Sequence, residues 1–288
     1  MTESGLVVAA HGRQYMVERQ DGSILPCFPR GKKSEIACGD RVDFRRTAAD
    51  QGVIEGIQPR RNLLYRSNEF RQKLIAANVD QVVLVVAVEP AFSDELVTRT
   101  LIAAESQDID VLIVLNKCDL ADRLPAARQR LDIFRNLGYS IVELSARAHA
   151  EDLRPHLSGR TSVLVGQSGM GKSTLVNALV PEANAATREI SAALDSGKHT
   201  TTHACLYHLD ATSHLIDSPG LQEFGLAHLD RAGLEHAFRE FRPYLGQCRF
   251  RDCRHDREPD CALRLALADR RMDERRFAAY RRIAAEIA

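Results

Sequence analysis

No stretch of this 288-residue chain approaches the roughly 20 consecutive apolar residues needed to cross a bilayer. The first residues also lack the basic-then-apolar order of a secretory leader. Neither a membrane span nor an export signal is expected, and a soluble, cytoplasmic protein is. Net charge is missing too, because 39 Lys and Arg balance 39 Asp and Glu. Seven cysteines are an odd number for a disulfide framework, and three of them crowd around one histidine near the C-terminus. Reduced thiols and a metal are therefore expected instead of disulfides. The chain does have material for a core: 44% of its residues are hydrophobic, and 27% charged keeps the surface wet. That length suits two domains, or a large one with appendages.

The balanced charge is uneven along the chain. Residues 1–66 carry 11 Lys/Arg against 8 Asp/Glu, residues 67–241 carry 16 against 23, and residues 242–288 carry 12 against 8. Basic ends on an acidic middle suit flanks that face polyanions while the middle does chemistry. Ordinary variation between solvated surfaces suits the counts equally well. Within residues 1–66, Leu6-Val7-Val8, Tyr15-Met16-Val17, Ile24-Leu25, Val42-Asp43-Phe44 and Gly52-Val53-Ile54 are candidate strands, separated by turn signals such as His11-Gly12 and Asp21-Gly22. Short strands and tight turns in so few residues suit a small barrel, first of all the oligonucleotide-binding kind. Tyr15, Phe28 and Phe44 have the chemistry to stack bases, but a barrel this small needs such residues for its core.

The middle of the chain is organised around Gly166-Gln167-Ser168-Gly169-Met170-Gly171-Lys172-Ser173-Thr174, which fits G-x-x-x-x-G-K-[ST] at every fixed position. Thr161 to Val165 reads as a strand entering this loop, and Ser173 to Leu179 as a helix leaving it. Glycines let the backbone wrap an anion so that amide N–H groups point inward, and the helix start adds partial positive charge. Lys172 would reach the β- and γ-phosphates, and the Ser173 hydroxyl would hold Mg²⁺.

A buried strand, Val82 to Val88, precedes a helix over about 93–106 capped by Ser93. A second buried strand, Val111 to Leu115, runs into Asn116-Lys117-Cys118-Asp119. This tetrapeptide resembles the base-reading N-K-x-D of GTP-binding proteins. Guanine offers two N–H donors to one carboxylate, a role for Asp119. Adenine would leave that carboxylate unpaired, which is a strong rejection. Asn116 can bridge neighbouring loops, and the Lys117 stem can cover the purine face. After a helix over about 126–137 and a strand over 141–144 comes Ser145-Ala146, which resembles the element whose backbone N–H meets the guanine O6.

Downstream, Gly197-Lys198-His199-Thr200-Thr201-Thr202 looks like a switch loop. Thr201 is favoured to close on Mg²⁺, with Thr200 and Thr202 as alternatives. His214-Leu215-Ile216 leads into Asp217-Ser218-Pro219-Gly220, a D-x-x-G in which Asp217 would hold Mg²⁺ through water and the Gly220 N–H would sense the γ-phosphate. The base-reading half thus precedes the phosphate-binding half, the reverse of ordinary small GTP-binding proteins, and a circular permutation is expected. Leu221 follows Gly220, where many such proteins have a water-orienting glutamine. Hydrolysis is expected to be slow until a partner completes the site. His199 is the nearest candidate to position water, with His203 second; a solvated loop histidine is an equal reading.

In the last segment Cys248, Cys253, His255 and Cys261 form a Cys₃His set of the structural zinc kind, His255 being its least secure member. Arginines separate these residues and few apolar ones do, so the stretch has little to fold around without metal. Phe277, Tyr280, Ile283 and Ile287 fall at helical spacing and read as a packing face.

The barrel-like start, the permuted set from Asn116 to Gly220 and the closing Cys₃His group together resemble the bacterial small-ribosomal-subunit biogenesis GTPase family, the RsgA or YjeQ family. The resemblance covers nearly the whole chain. It implies an α/β protein with an oligonucleotide-binding barrel over 1–66, a permuted GTPase domain over 67–228 and a helical zinc-binding domain over 229–288. It implies late maturation of the small subunit, contact with its 16S rRNA, GTP hydrolysis to GDP stimulated by that subunit, and one structural Zn²⁺. Mg²⁺ with GTP is expected from the motifs, and a monomer without membrane contact is the expectation for the whole. His199 matches the hydrolysis residue proposed for the family, and Leu221 fits its pattern. Two other classes stay in view. One is an RNA-binding assembly protein for which nucleotide is only a lock. The other is a small-molecule kinase, which leaves N-K-x-D and the basic flanks unexplained.

Overall fold

Each short β-prone piece at the start of the chain becomes a strand, longer than its apolar kernel. They are β1 (Glu3–His11), β2 (Gln14–Glu18), β3 (Ile24–Pro29), β4 (Arg41–Arg46) and β5 (Gly52–Ile57). The computed structural model describes residues 2–31, 35–67, 72–181, 183, 204–218 and 224–287. The five strands run in the order β1-β2-β3-β5-β4, and β4 returns to pair antiparallel with β1 from Leu6↔Arg41 to Glu3↔Phe44, which closes a barrel. β3 and β5 pair in parallel, Cys27 opposite Gly52. Val7, Tyr15, Val17, Leu25, Val42, Phe44 and Ile54 fill the interior. Tyr15 and Phe44 are thus core residues; only Phe28 of the three aromatics is exposed.

An antiparallel hairpin, β6 (Leu63–Ser67) with β7 (Gln72–Ala77), follows the barrel. The α/β unit then comprises β8 (Gln81–Ala87), α1 (Asp94–Glu105), β9 (Asp110–Asn116), α2 (Leu124–Asn136), β10 (Ser140–Glu143), α3 (Arg154–Leu157), β11 (Thr161–Val165), α4 (Lys172–Leu179), β12 (Ala204–His208) and β13 (His214–Asp217). Its strands lie in the order β10-β9-β8-β11-β13-β12, all parallel except β12, which runs antiparallel to β13. The continuous apolar runs of β8 and β9 are buried along nearly their whole length, as a parallel sheet covered on both faces requires. Ser93 caps α1 by accepting the Leu96 N–H at 3.2 Å.

β12 also pairs antiparallel with β1, Ala9 opposite Cys205 and Ala10 opposite Ala204, so barrel and α/β sheet are one hydrogen-bonded surface. After β13 come α5 (Arg231–Ala237), a 3₁₀ turn over Arg239–Tyr244, a cysteine-bearing loop, α6 (Ala262–Ala268) and α7 (Glu274–Glu286). Phe238 and Phe241 stack with ring centroids 4.8 Å apart, and Phe277 and Tyr280 of α7 complete this aromatic core. Arg276 of α7 is buried although it lies among arginines. Its Nε donates to Glu240 at 2.7 Å and its guanidinium lies 4.6 Å from the Phe238 ring centre, so charge and stem are both satisfied inside.

Candidate nucleotide site and metal cluster

Parallel strands place their carboxyl ends along one edge, where ligands of such sheets bind. Here that edge gathers Asn116 at the end of β9, Ser145 and Ala146 just past β10, the loop after β11, and Asp217 at the end of β13. They surround a cleft of about 520 Å³ lined by Asn116, Lys117, Asp119, Ser145, Ala146, Ser168, Gly169, Gly171, Lys172, Ser173, Thr174 and Asp217. The two halves of the motif set, far apart and inverted in sequence, therefore meet at one place.

Asn116 does the joining. Its side chain is buried; Nδ2 donates to the Met170 carbonyl at 2.9 Å, while Oδ1 accepts the Lys117 N–H at 2.7 Å and the Ala146 N–H at 2.9 Å. One amide thus fixes three loops. Lys117, in the left-handed region at φ 63°, sends its ammonium to the Gly169 carbonyl at 2.8 Å. Asp119 is exposed at the other end of the cleft. The Ser145 hydroxyl hydrogen-bonded to it holds its carboxyl below the ordinary value, with Arg147 and Lys117 adding smaller attraction. It is poised as an ionised acceptor.

The loop after β11 shows why its glycines are where they are. Gly171 sits at φ 95°, and a Cβ there would come 2.2 Å from Asn116 Nδ2. Lys172 Nζ donates to the carbonyls of Gly166 at 2.8 Å and Gln167 at 3.0 Å. Burial lowers its pKa, and the Asp217 carboxylate counters that. Its charge is thus already inside the loop, held by carbonyls that a phosphate would outcompete. Ser218 is tied down beside it, its hydroxyl donating to the Leu164 carbonyl at 2.6 Å.

Four residues singled out from the sequence do not line the cleft. Gly166 backs onto Val85, and Met170 is buried beneath the loop. Cys118 directs its thiol to the Leu115 carbonyl at 3.2 Å, and Gln167 accepts the Ser93 N–H at 3.0 Å. Leu120, Arg147 and Ser218 line it without having been singled out. Arg147 follows directly on Ser145-Ala146, which was its only signal. His199, Thr200, Thr201, Thr202, His203, Gly220 and Leu221 lie outside the described residues.

Comparison with known proteins places this geometry. The family model for RsgA GTPases matches residues 57–227. The chain belongs to the RsgA GTPase family. It is 56% identical over 287 residues to a protein of Ralstonia pickettii named small ribosomal subunit biogenesis GTPase RsgA, covering 96% of this chain and 91% of the relative. It is 57% identical over 287 residues to the protein of that name from Burkholderia pseudomallei, covering 98% and 91%. Among solved structures, YjeQ from Thermotoga maritima superposes with a TM-score of 0.74 at 32% identity, over 100% of this chain and 99% of the other. YloQ, described as a circularly permuted GTPase, gives 0.70 at 28% identity, over 100% and 95%. The RsgA membership makes the chain a GTP-hydrolysing enzyme with a permuted GTPase fold, and the inverted motif order follows from that.

The chain has a second cluster away from the cleft. Cys248, Cys253, His255 and Cys261 present ligand atoms that all lie within 4.8 Å of one another. Cys248 and Cys261 Sγ are 3.9 Å apart, and His255 Nδ1 lies 3.6 and 3.2 Å from them. Tetrahedral zinc with Zn–S of about 2.3 Å would set its sulfurs about 3.8 Å apart, so the spacing and donor set fit. On the far side of the ring, His255 Nε2 lies 3.3 Å from Glu235, which also accepts the Tyr280 hydroxyl at 2.9 Å. Such a carboxylate fixes ring orientation and makes the other nitrogen a better donor. No helix among the described residues is long and apolar enough to cross a membrane.

Proposed function

We propose that this GTPase acts in the late maturation of the small ribosomal subunit, hydrolysing GTP to GDP and phosphate when the subunit completes its site. The observation that carries the proposal is the cleft itself, where Asn116, Asp119, Ser145, Lys172, Ser173 and Asp217 from both halves of the permuted order meet. Asp119 accepts the guanine N–H donors, and the Ala146 N–H, held by Asn116, borders the base pocket. Lys172 and the loop amides of Ser168, Gly169, Gly171, Ser173 and Thr174 hold the phosphates. Ser173 and Asp217, with Thr201 from the switch loop, would hold Mg²⁺, which supplies charge neutralisation between the phosphates. His199 is the residue we assign to positioning the attacking water, with His203 or a ribosomal group as the alternative. The relatives' names carry the partner, the small subunit. The basic flanks, the barrel over 1–66 before the GTPase domain over 67–228 in sequence and the segment over 229–288 after it, support contact with its 16S rRNA. One structural Zn²⁺ on Cys248, Cys253, His255 and Cys261, a monomer, and a cytoplasmic location complete the reading.

The deciding experiment is GTP turnover of the protein alone, with small subunits and with large subunits. Stimulation by small subunits only is expected, by at least about tenfold, since an added transition-state contact contributes that much or more. No stimulation by either would overturn the assignment. Base recognition has its own check. Asp119→Asn should weaken GTP by roughly 2 kcal/mol or more, because a carboxylate facing two donors becomes a mismatched amide. It should gain xanthosine triphosphate, which keeps the N1–H donor but has a carbonyl acceptor in place of the 2-amino donor, a match for the amide. Equal GTP affinity in competition binding would sink the role of Asp119.

A further inference from the structure

The phosphate loop is braced along one side by β8 and its connection to α1. A Cβ on Gly166 would lie 2.3 Å from the Val85 carbonyl oxygen, and one on Gly169 would touch Pro90 at 3.5 Å. Between these two contacts Gln167 turns its side chain out of the cleft. Its Oε1 accepts the Ser93 N–H at 3.0 Å, and Ser93 caps α1. A side chain of the phosphate loop is thus fastened to the first turn of one helix.

The same helix carries the C-terminal segment. Thr98 Oγ1 accepts from Arg276 Nη1 at 3.0 Å, and Arg276 is paired with Glu240 in the interior. Arg99 Nη1 donates to Glu286 at 2.8 Å. Near the far end, Glu105 accepts from Arg239 at 2.5 Å and from Arg242 at 2.7 Å. α1 is a rigid rod of three turns, and a buried ion pair such as Arg276–Glu240 tolerates little slippage. Movement at the Ser93 end must therefore be felt at the packing of α7 and the 3₁₀ turn.

We propose that Gln167 is a positioning residue that couples occupancy of the phosphate loop to the packing of the C-terminal segment, with α1 as the connecting element. The proposal rests on the reading of the cleft as the GTP site. By thermodynamic reciprocity, whatever grips the C-terminal segment changes nucleotide affinity by the same factor. This route runs from the phosphate loop and is separate from the chain continuity between Asp217 and α5.

Amide hydrogen exchange on the full chain, with and without saturating GDP, tests it. α4 reports occupancy of the loop and α7 reports the coupling. In the wild-type protein GDP should slow exchange in both, α7 by about fivefold or more, the lower range of measured couplings. Gln167→Met has similar length and no acceptor; at saturating GDP it should keep the slowing in α4 and lose it in α7. Gln167→Glu keeps an acceptor oxygen and should restore it. Undiminished α7 slowing in Gln167→Met, or a wild-type α7 indifferent to GDP while α4 responds, overturns the coupling. A wild-type α4 that ignores GDP overturns the nucleotide reading itself.

Discussion

Gly171→Ala should lose GDP and GTP binding by at least about a hundredfold, roughly 2.8 kcal/mol at 1.4 kcal/mol per decade. Two costs combine. The residue sits at φ 95°, where a Cβ is strained by about 1–2 kcal/mol. The added atom would also lie 2.2 Å from Asn116 Nδ2, a distance that no real contact shows. Asn116 cannot yield cheaply, because it is buried and holds Met170, Lys117 and Ala146 at once. Its displacement would loosen the base-reading loop as well as the phosphate loop. Gly159→Ala is the control: φ is 67°, but nothing lies within 4 Å of the added carbon. It should cost stability without costing affinity. Isothermal titration with GDP, paired with thermal melts, separates the two outcomes. Equal affinities in both variants would mean that Asn116 is not the joint described.

Stripping the metal should have a still larger effect in another part of the molecule. Cys253→Ser, or chelation, should take zinc from about one per chain to near none and open the loop between the 3₁₀ turn and α6 to protease. Structural zinc sites in small peptides contribute roughly 10–16 kcal/mol to their folded state. This loop has little else, for Arg249, Arg251, Arg254 and Arg257 are exposed. The damage should spread to α7, because His255 is linked through Glu235 to Tyr280 in the aromatic core. Cys118→Ser should leave metal content unchanged, since that thiol faces the Leu115 carbonyl far from the cluster in the fold. Metal content by atomic absorption and the pattern of limited proteolysis check both. A wild-type protein without zinc, or a Cys253→Ser variant that retains it, would refute the site.

Much of this arrangement is legible in the residues because the informative features are local. The phosphate loop, N-K-x-D and D-x-x-G each carry their chemistry within a few positions, and buried strands such as Val82 to Val86 are continuous apolar runs. The barrel strands were also visible, as β-prone kernels between turn signals. What the sequence does not display is pairing between distant segments. Nothing local announces that β3 and β5 run parallel, that β4 returns to β1, or that β12 exists at all, its edge being defined by partners on both sides. The β6–β7 hairpin escaped for another reason, its two strands carrying too few apolar residues in alternation to stand out. Side-chain direction is equally hidden. Gln167 lies within a nucleotide-binding motif yet faces Ser93, and Arg276 looks like one more surface arginine until Glu240, 36 positions earlier, appears beside it.

The pairing of β1 with β12 has a consequence for any attempt to take the molecule apart. A strand at the border of a sheet offers unpaired N–H and C=O groups to whatever strand comes by, and proteins guard such borders against self-association. β12 carries Cys205, Leu206 and Tyr207, all buried, with no Lys, Arg, Asp or Glu within its length. The barrel is its guard. A GTPase unit cut free of the first strands would present that apolar margin to its neighbours and stack with them, so the barrel acts as a built-in solubility cap for the enzyme behind it.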